Sequence, residues 1–156
     1  MAKSAAPSPL FTIGYERATP DAVLGELKRV GVTLLVDTRA VAASRRQGFS
    51  KRQFATSLDE NQIGYLHLRA LGTPTDGRQA ARAGDLDTLW RIYDEHLMTA
   101  GAQEALDELL AIVRSGPSVC LLCYERDAAQ CHRSRIAEIV HARTGVRVEN
   151  LIPPPF

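Results

Sequence analysis

Short apolar runs alternate with helically spaced apolar residues along this chain. The runs lie at 10–15 (LFTIGY), 33–37 (TLLVD), 63–68 (IGYLHL), 118–123 (SVCLLC) and 146–152 (VRVENLI). Mainly apolar runs of this length, bounded by turn or polar residues, are typical of strands buried on both faces of a sheet. The pattern therefore predicts five strands.

Apolar residues with the spacing of one helix face occupy most segments between these runs. Pro20 suits a first helical position after Thr19, and Ser50 suits the cap of a second helix. Gly31 and Gly145 suit helix C-caps. Further helices are predicted at 85–98, 102–114 and 131–143.

Strands separated by helices favour an α/β fold. We expect a three-layer sandwich in which a mainly parallel sheet of about five strands carries helices on both faces. The 156 residues, 45% of them hydrophobic, are enough for one core, so we predict a single domain at 10–152. Tails are expected at 1–9, which is flexible, and at 153–156, which is proline-rich. The segment 69–84 has turn residues without periodicity, which predicts a long loop of the kind that serves a site.

Charge and cysteine content limit the classes of partner. A formal net charge of +1 provides no global basic field, so it does not support nucleic-acid binding. No apolar stretch is long enough to predict a membrane partner. The three cysteines, in a chain that begins without an apolar signal segment, predict a cytoplasmic protein with reduced thiols. Composition predicts no oligomeric state.

Polar or special residues stand where the predicted strands end. Ligands of open parallel sheets bind beyond the carboxyl ends of the strands. These positions are Gly14, Tyr15 and Glu16 after the first strand, Asp37, Thr38 and Arg39 after the second, and Cys123, Tyr124 and Glu125 after the fourth. The topology is expected to bring them to one edge, although polar residues begin at strand ends in any protein.

The segment LCYERDAAQCHRSR, at 122–135, has the highest density of side chains that can react or bind a ligand. His132 and Arg133 are expected in the first turn of a helix, where backbone N–H groups, the helix dipole and a guanidinium suit a phosphate or carboxylate. The same field is expected to lower the pKa of Cys131. The alternative is structural: Asp127 caps the turn, and Arg133 forms a salt bridge with Glu125 or with the aspartate that ends the second strand.

The three cysteines leave two other interpretations open. Cys120, Cys123, Cys131 and His132 resemble a zinc ligand set, but residues three apart on a strand face opposite sides, so Cys120 is expected to be buried and inert. Cys123 is expected to be partly exposed. A reversible disulfide between Cys123 and Cys131 is the second interpretation, although the Cys-x-x-Cys spacing of dedicated redox enzymes is absent.

Asp37 and Arg39 form the other candidate pair. A carboxylate at a strand end can act as a base, hold a hydroxyl or orient an arginine, and Ser44 and Arg45 could complete an anion pocket. No glycine-rich dinucleotide motif or Walker sequence follows the first strand, and neither Cys123 nor Cys131 is followed by an arginine at the spacing of phosphate-loop phosphatases. We therefore expect no bound cofactor.

Several motifs together resemble one family. TIGYE, VDTRA with a following SRR and GF, YLHL followed by LG, and above all CYERD followed by CHRSRIA are similar to the family named domain of unknown function 488. The resemblance runs from about Phe11 to Leu151, and it implies the fold and the position of a site. Glu16, the AVAA loop and Thr73 depart from the family pattern.

The combined hypothesis is a cysteine- or carboxylate-dependent hydrolase or transferase. Its expected partner is a small anionic ligand or a phosphorylated, nucleotide-like or nucleic-acid-derived substrate, and no metal is expected. The predicted catalytic residues are Cys123, Glu125, Cys131 and Asp37, and the predicted anion-binding residues are Tyr15, Arg39, Ser44, Arg45, His132 and Arg133. The alternative is a non-catalytic anion-binding or thiol-redox regulatory module that uses the same pocket.

Overall fold

A computed structural model describes residues 8–156, in which five strands alternate with six α-helices. The strands are β1 (Leu10–Gly14), β2 (Leu34–Asp37), β3 (Gly64–His67), β4 (Val119–Cys123) and β5 (Val148–Leu151). The helices are α1 (Pro20–Val30), α2 (Lys51–Glu60), α3 (Thr75–Arg82), α4 (Leu86–Leu97), α5 (Ala100–Arg114) and α6 (His132–Thr144), with short 3-10 turns at Arg69–Leu71 and Ala128–Gln130. The predicted α/β class and all five strands are confirmed.

All five strands are parallel, in the order β3-β2-β4-β1-β5. Gly14 pairs with Cys123, and Asp37 pairs with Leu122. The carboxyl ends of β1, β2 and β4 therefore meet at one edge, as the sequence predicts.

Side chains alternate between two apolar layers along the central strand β4. Cys120 and Leu122 pack into the layer formed with α1 and α2, which contains Phe54. Val119 and Leu121 pack into the layer formed with α4, α5 and α6. Helices thus cover both faces of the sheet, which confirms the predicted three-layer sandwich.

The predicted long loop at 69–84 is wrong. It contains a 3-10 turn and the helix α3, whose buried residues are Gly77 and Ala80. Because these side chains are small, the helix carries no stripe of large apolar residues, and hydrophobic periodicity does not detect it. Pro74 and Asp76 were an available signal of a helix start.

The helix ends follow the predicted capping residues closely. Gly31 and Gly145 end α1 and α6 with positive φ angles. Thr99 caps α5, which therefore begins two residues before the predicted start at 102. Residues 1–7 of the predicted N-terminal tail lie outside the described residues. The predicted C-terminal tail is hydrogen-bonded to the domain through Pro153 O, which accepts from Arg126 Nη1 at 2.7 Å, and Phe156 N, which donates to Arg17 O at 3.0 Å.

Candidate functional site

A cavity of about 120 Å³ lies at the carboxyl edge of the sheet. Residues after β1, β2 and β4 line it together with the 69–84 segment, α4 and the start of α6. Five predicted site residues contribute to its wall: Tyr15, Arg39, Cys123, Glu125 and His132. The topology thus brings together residues that are far apart in the sequence.

Cys123 and His132 line the cavity, and Cys131 lies next to both. Cys123 Sγ lies 3.4 Å and Cys131 Sγ lies 3.9 Å from Nδ1 of His132. The other ring nitrogen, Nε2, lies 2.9 Å from the carbonyl oxygen of Thr38, so Nε2 carries a proton and donates it there. Nδ1 is consequently the atom that faces the thiols. The Tyr93 ring packs edge-on at 5.2 Å from the imidazole and closes that side.

The thiols differ in access to the cavity. Cys123 ends β4 and lines the cavity, whereas Cys131, the N-cap residue of α6, lies behind it. Both are buried, at 4% and 1% exposure, so the expected partial exposure of Cys123 is wrong. Its contacts with Glu125 and His132 cover the sulfur without removing it from the cavity wall.

The thiols also differ in pKa. Burial alone would raise the pKa of the Cys131 thiol, but the hydrogen bond with Cys123 and the charges of His132 and Arg133 hold it well below its usual value. Burial and the neighbouring Cys131 thiolate raise the pKa of Cys123. Burial would lower the pKa of His132, but the Cys131 thiolate and the Thr38 carbonyl raise it above its usual value. The lowered pKa agrees with the expectation for Cys131 and favours a thiolate–imidazolium pair beside a neutral thiol.

Glu125 completes the polar side of the cavity. The Cys123 thiol donates to its Oε2 at 3.2 Å. Burial and the Cys131 thiolate raise the pKa of Glu125 to about 7. The carboxyl group can therefore give up or take a proton near neutral pH.

Arg133 binds the backbone of Glu125 and does not line the cavity. It is fully buried, and its Nε donates to Thr12 Oγ1 at 3.2 Å while Nη1 donates to the carbonyl oxygen of Glu125. Gly14 leaves room for the Glu125 carbonyl oxygen, because a Cβ at position 14 would lie 1.8 Å from that oxygen. Arg133, which the sequence placed in an anion site at the start of α6, therefore binds protein atoms and does not face the cavity.

The structural alternative for this turn is correct in part. Asp127 Oδ1 accepts from Ala129 N at 2.9 Å, as a capping residue does. Arg133, however, binds backbone carbonyls rather than a carboxylate, since Nη2 also donates to Arg126 O at 3.3 Å.

Asp37 is fully buried in a closed network beside the cavity. Its carboxylate accepts from Arg39 Nη2 at 2.8 Å and from the Tyr65 hydroxyl at 2.5 Å. Arg39 Nη1 also donates to Phe49 O at 2.7 Å and to the Tyr15 hydroxyl at 3.4 Å. Burial would lower the pKa of Arg39, but the Asp37 carboxylate raises it further above its usual range. Asp37 is thus placed to orient Arg39 and Tyr15.

The family model described as Domain of unknown function DUF488 matches residues 19–140. The chain belongs to the DUF488 family. This confirms the resemblance drawn from its motifs, and the description names no activity. No curated protein matches the DUF488 chain. Within residues 8–156, no helix has both the length and the apolar character needed to cross a membrane.

In this DUF488 domain, the loop after β2 does not bring Ser44 and Arg45 into the cavity as an anion pocket would require. Ser44 does not line the cavity; its hydroxyl accepts from Arg46 N at 3.1 Å, and Arg45 is exposed. Arg46 instead lies over the Phe49 ring at 5.2 Å and donates from Nη1 to Tyr15 O at 3.1 Å. Arg46 therefore stabilises the stacked pair of Tyr15 and Phe49 through a cation–π contact, a role that the sequence patterns did not predict.

Two further cavity residues, Thr73 and Arg78, come from the segment predicted to be a loop. Arg78 lies on α3, and Thr73 lies just before it. Because the helix itself was not predicted, neither residue could be placed at the strand edge from sequence. The recognisable helix start at Pro74 was the available signal.

Three groups of the DUF488 domain could hold a metal ion. The ligand atoms of Cys123, Cys131 and His132 all lie within 4.8 Å of one another. Nε2 of His132 already makes the outer hydrogen bond that metal-bound histidines require. Cys120 lies in the opposite apolar layer, as the strand argument predicts. These same thiols can instead react directly with a substrate.

Proposed function

We propose that this DUF488 protein is a thiol-dependent hydrolase or transferase, acting on a phosphorylated, nucleotide-like or nucleic-acid-derived substrate in the cavity. One observation carries the proposal: Cys123 lines the cavity and contacts a carboxyl group and an imidazole. A thiol with an adjacent base and an adjacent acid is the arrangement that nucleophilic catalysis requires.

The groups support a balanced two-step reaction. The Cys123 thiol passes its proton to the Glu125 carboxylate, to which it is hydrogen-bonded, and the Cys123 sulfur bonds to an electrophilic carbon or phosphorus of the substrate. As the bond to the leaving group breaks, Glu125 donates that proton to the leaving group. Glu125 then takes a proton from water, whose oxygen displaces the Cys123 sulfur, and returns the proton to that sulfur. In a transferase, an acceptor hydroxyl replaces water.

Comparison of two cysteine variants tests the proposal. Cys123→Ser should lower turnover of phosphorylated or nucleotide substrates roughly a thousandfold or more while substrate binding remains. Cys120→Ser, in the apolar layer, is the matched control and should retain turnover. Site-resolved alkylation by mass spectrometry should label Cys123 before Cys120, because only Cys123 lines the cavity. Equal turnover of the two variants would exclude Cys123 as the nucleophile.

A thiol-redox regulatory module is the second candidate. It is favoured by the short separation of the Cys123 and Cys131 sulfurs, which lie within 4.8 Å. A peroxide would take two electrons from the Cys131 thiolate and the Cys123 thiol, and it would be reduced with the Cys123 thiol proton and the His132 imidazolium proton. A disulfide would form after a local shift of the α6 start. Reversible oxidation that changes ligand affinity, in a protein that shows no turnover, would favour this candidate.

A further inference from the structure

Thr73 carries a polar atom that the folded protein leaves without a partner. The residue is 4% exposed and lines the cavity, yet its Oγ1 forms no hydrogen bond within residues 8–156. A buried hydroxyl without a partner costs free energy, so such atoms are rare unless a ligand or water completes them. The position of this hydroxyl in a cavity wall points to a ligand.

The packing of α3 sets the orientation of Thr73. A Cβ built on Gly77 would lie 2.5 Å from Thr73 Cγ2, so the methyl group occupies the space that Gly77 leaves open. Because Cγ2 and Oγ1 are the two branches of the same Cβ, the hydroxyl branch is directed away from Gly77. The β-branched side chain holds this arrangement, since its χ1 rotation is restricted.

Arg78 brings an uncompensated positive charge to the same wall. Its Nη1 donates to Thr73 O at 2.9 Å, and its Nη2 donates to Thr75 Oγ1 at 3.3 Å. These contacts orient the guanidinium, and no carboxylate in the described part of the chain forms a salt bridge with it. Since a guanidinium has five N–H donors, three remain for a ligand.

Arg39 is a weaker candidate for binding a ligand in this cavity. Its charge is compensated by Asp37, and its Nη1 donates to Phe49 O and to the Tyr15 hydroxyl. Arg78 is therefore the cavity cation whose charge and donors are both available. Cys123, the proposed nucleophile, belongs to the same cavity wall.

We propose that Thr73 and Arg78 form an oxyanion-binding subsite that takes a phosphoryl or carboxylate group of the substrate. The Thr73 hydroxyl and the free guanidinium N–H groups donate to its oxygens. The substrate assignment rests on the proposed function, because it assumes that the molecule bound here is also the one that meets Cys123. The anion binding itself is independent of thiol chemistry.

Calorimetric titration of the full chain with inorganic phosphate and, separately, with acetate tests the subsite and distinguishes its two ligand classes. Thr73→Val keeps the side-chain shape without the hydroxyl, and Arg78→Met removes the charge. Each should weaken binding of the preferred anion about tenfold or more. Thr73→Ser keeps the hydroxyl but lacks the methyl group that orients it, so its affinity should lie between those of Thr73→Val and the original protein. Arg82→Met, which removes an exposed arginine from the same helix, should also bind normally.

A thermal melt separates this role from a structural one. Without anion, Thr73→Val should melt at or above the temperature of the original protein, because the partnerless hydroxyl is gone. Its anion-induced rise in melting temperature should be smaller. Unchanged phosphate and acetate affinities in Thr73→Val and Arg78→Met, or no binding of either anion by the original protein, would overturn the subsite. If the original protein binds the anion but turns over no phosphorylated or nucleotide substrate, the enzymatic proposal is overturned and the subsite remains intact.

Discussion

The carboxyl ends of β2 and β4 carry buried acidic groups in opposite situations. Asp37 ends β2, where it forms a 2.8 Å salt bridge with Arg39 and accepts a hydrogen bond from Tyr65. Glu125 follows β4 by two residues, and within the described residues no cation forms a salt bridge with it. Burial and the charge of the Cys131 thiolate raise the pKa of Glu125.

This contrast shows that a strand end alone does not make a reactive group. The Asp37 carboxylate is held in place by Arg39 and Tyr65, so it serves to orient other side chains. Burial and the Cys131 thiolate raise the pKa of Glu125 to about 7, and Arg133 does not offset them, because it binds the backbone carbonyl oxygen of Glu125 and forms no ion pair with the carboxyl group. An acidic group at a strand end is therefore reactive when the fold provides no ion-pair partner for its carboxyl group.

The largest effect is expected when the closed network at β2 is broken. Asp37→Asn leaves the Arg39 guanidinium buried without its counter-charge, so the free energy of unfolding should fall by about 3–5 kcal/mol in urea titrations at pH 7. Glu26→Gln breaks an exposed ion pair with Arg29 and is the control, which should change stability little. Equal losses in the two variants would contradict the distinction between a buried and a surface pair.

A smaller and pH-dependent effect is expected at β4. The native state keeps the Glu125 proton up to about pH 7, whereas an unfolded glutamate loses it near pH 4.5. The original protein should therefore lose up to about 3 kcal/mol of stability as pH rises from 4.5 to just above 7. Glu125→Gln cannot lose that proton, so it should match the original protein near pH 4.5 and be the more stable of the two at pH 8. Parallel stability curves for the two proteins would show that Glu125 has an ordinary pKa.

The smallest effect is expected from one hydrogen bond within the β2 network. Tyr65→Phe removes the hydroxyl that donates to Asp37 at 2.5 Å but leaves the Arg39 ion pair in place. The free energy of unfolding should fall by about 1.5 kcal/mol, less than for Asp37→Asn, because the carboxylate keeps its counter-charge. A loss as large as that of Asp37→Asn would show that Tyr65, rather than Arg39, dominates the network.

The sequence by itself determined the five strands and the edge of the sheet at which the candidate site residues lie. Continuous apolar runs predict buried strands, and their spacing by helices predicts a parallel sheet, so Tyr15, Arg39, Cys123 and Glu125 could be assigned to one edge. The period of two along β4 also placed Cys120 on the face away from His132. These features depend on local periodicity, which a single sequence contains.

Only the tertiary structure decided which of these groups face the cavity and which support it. Arg133 points to Thr12, 121 positions earlier in the chain, and the motif around Arg133 does not encode that partner. Thr73 and Arg78 depend on a helix packed through Gly77 and Ala80, which leave no apolar pattern. The direction and charge of a buried polar side chain depend on the donors and acceptors that distant segments bring to it, and no local spacing specifies those contacts.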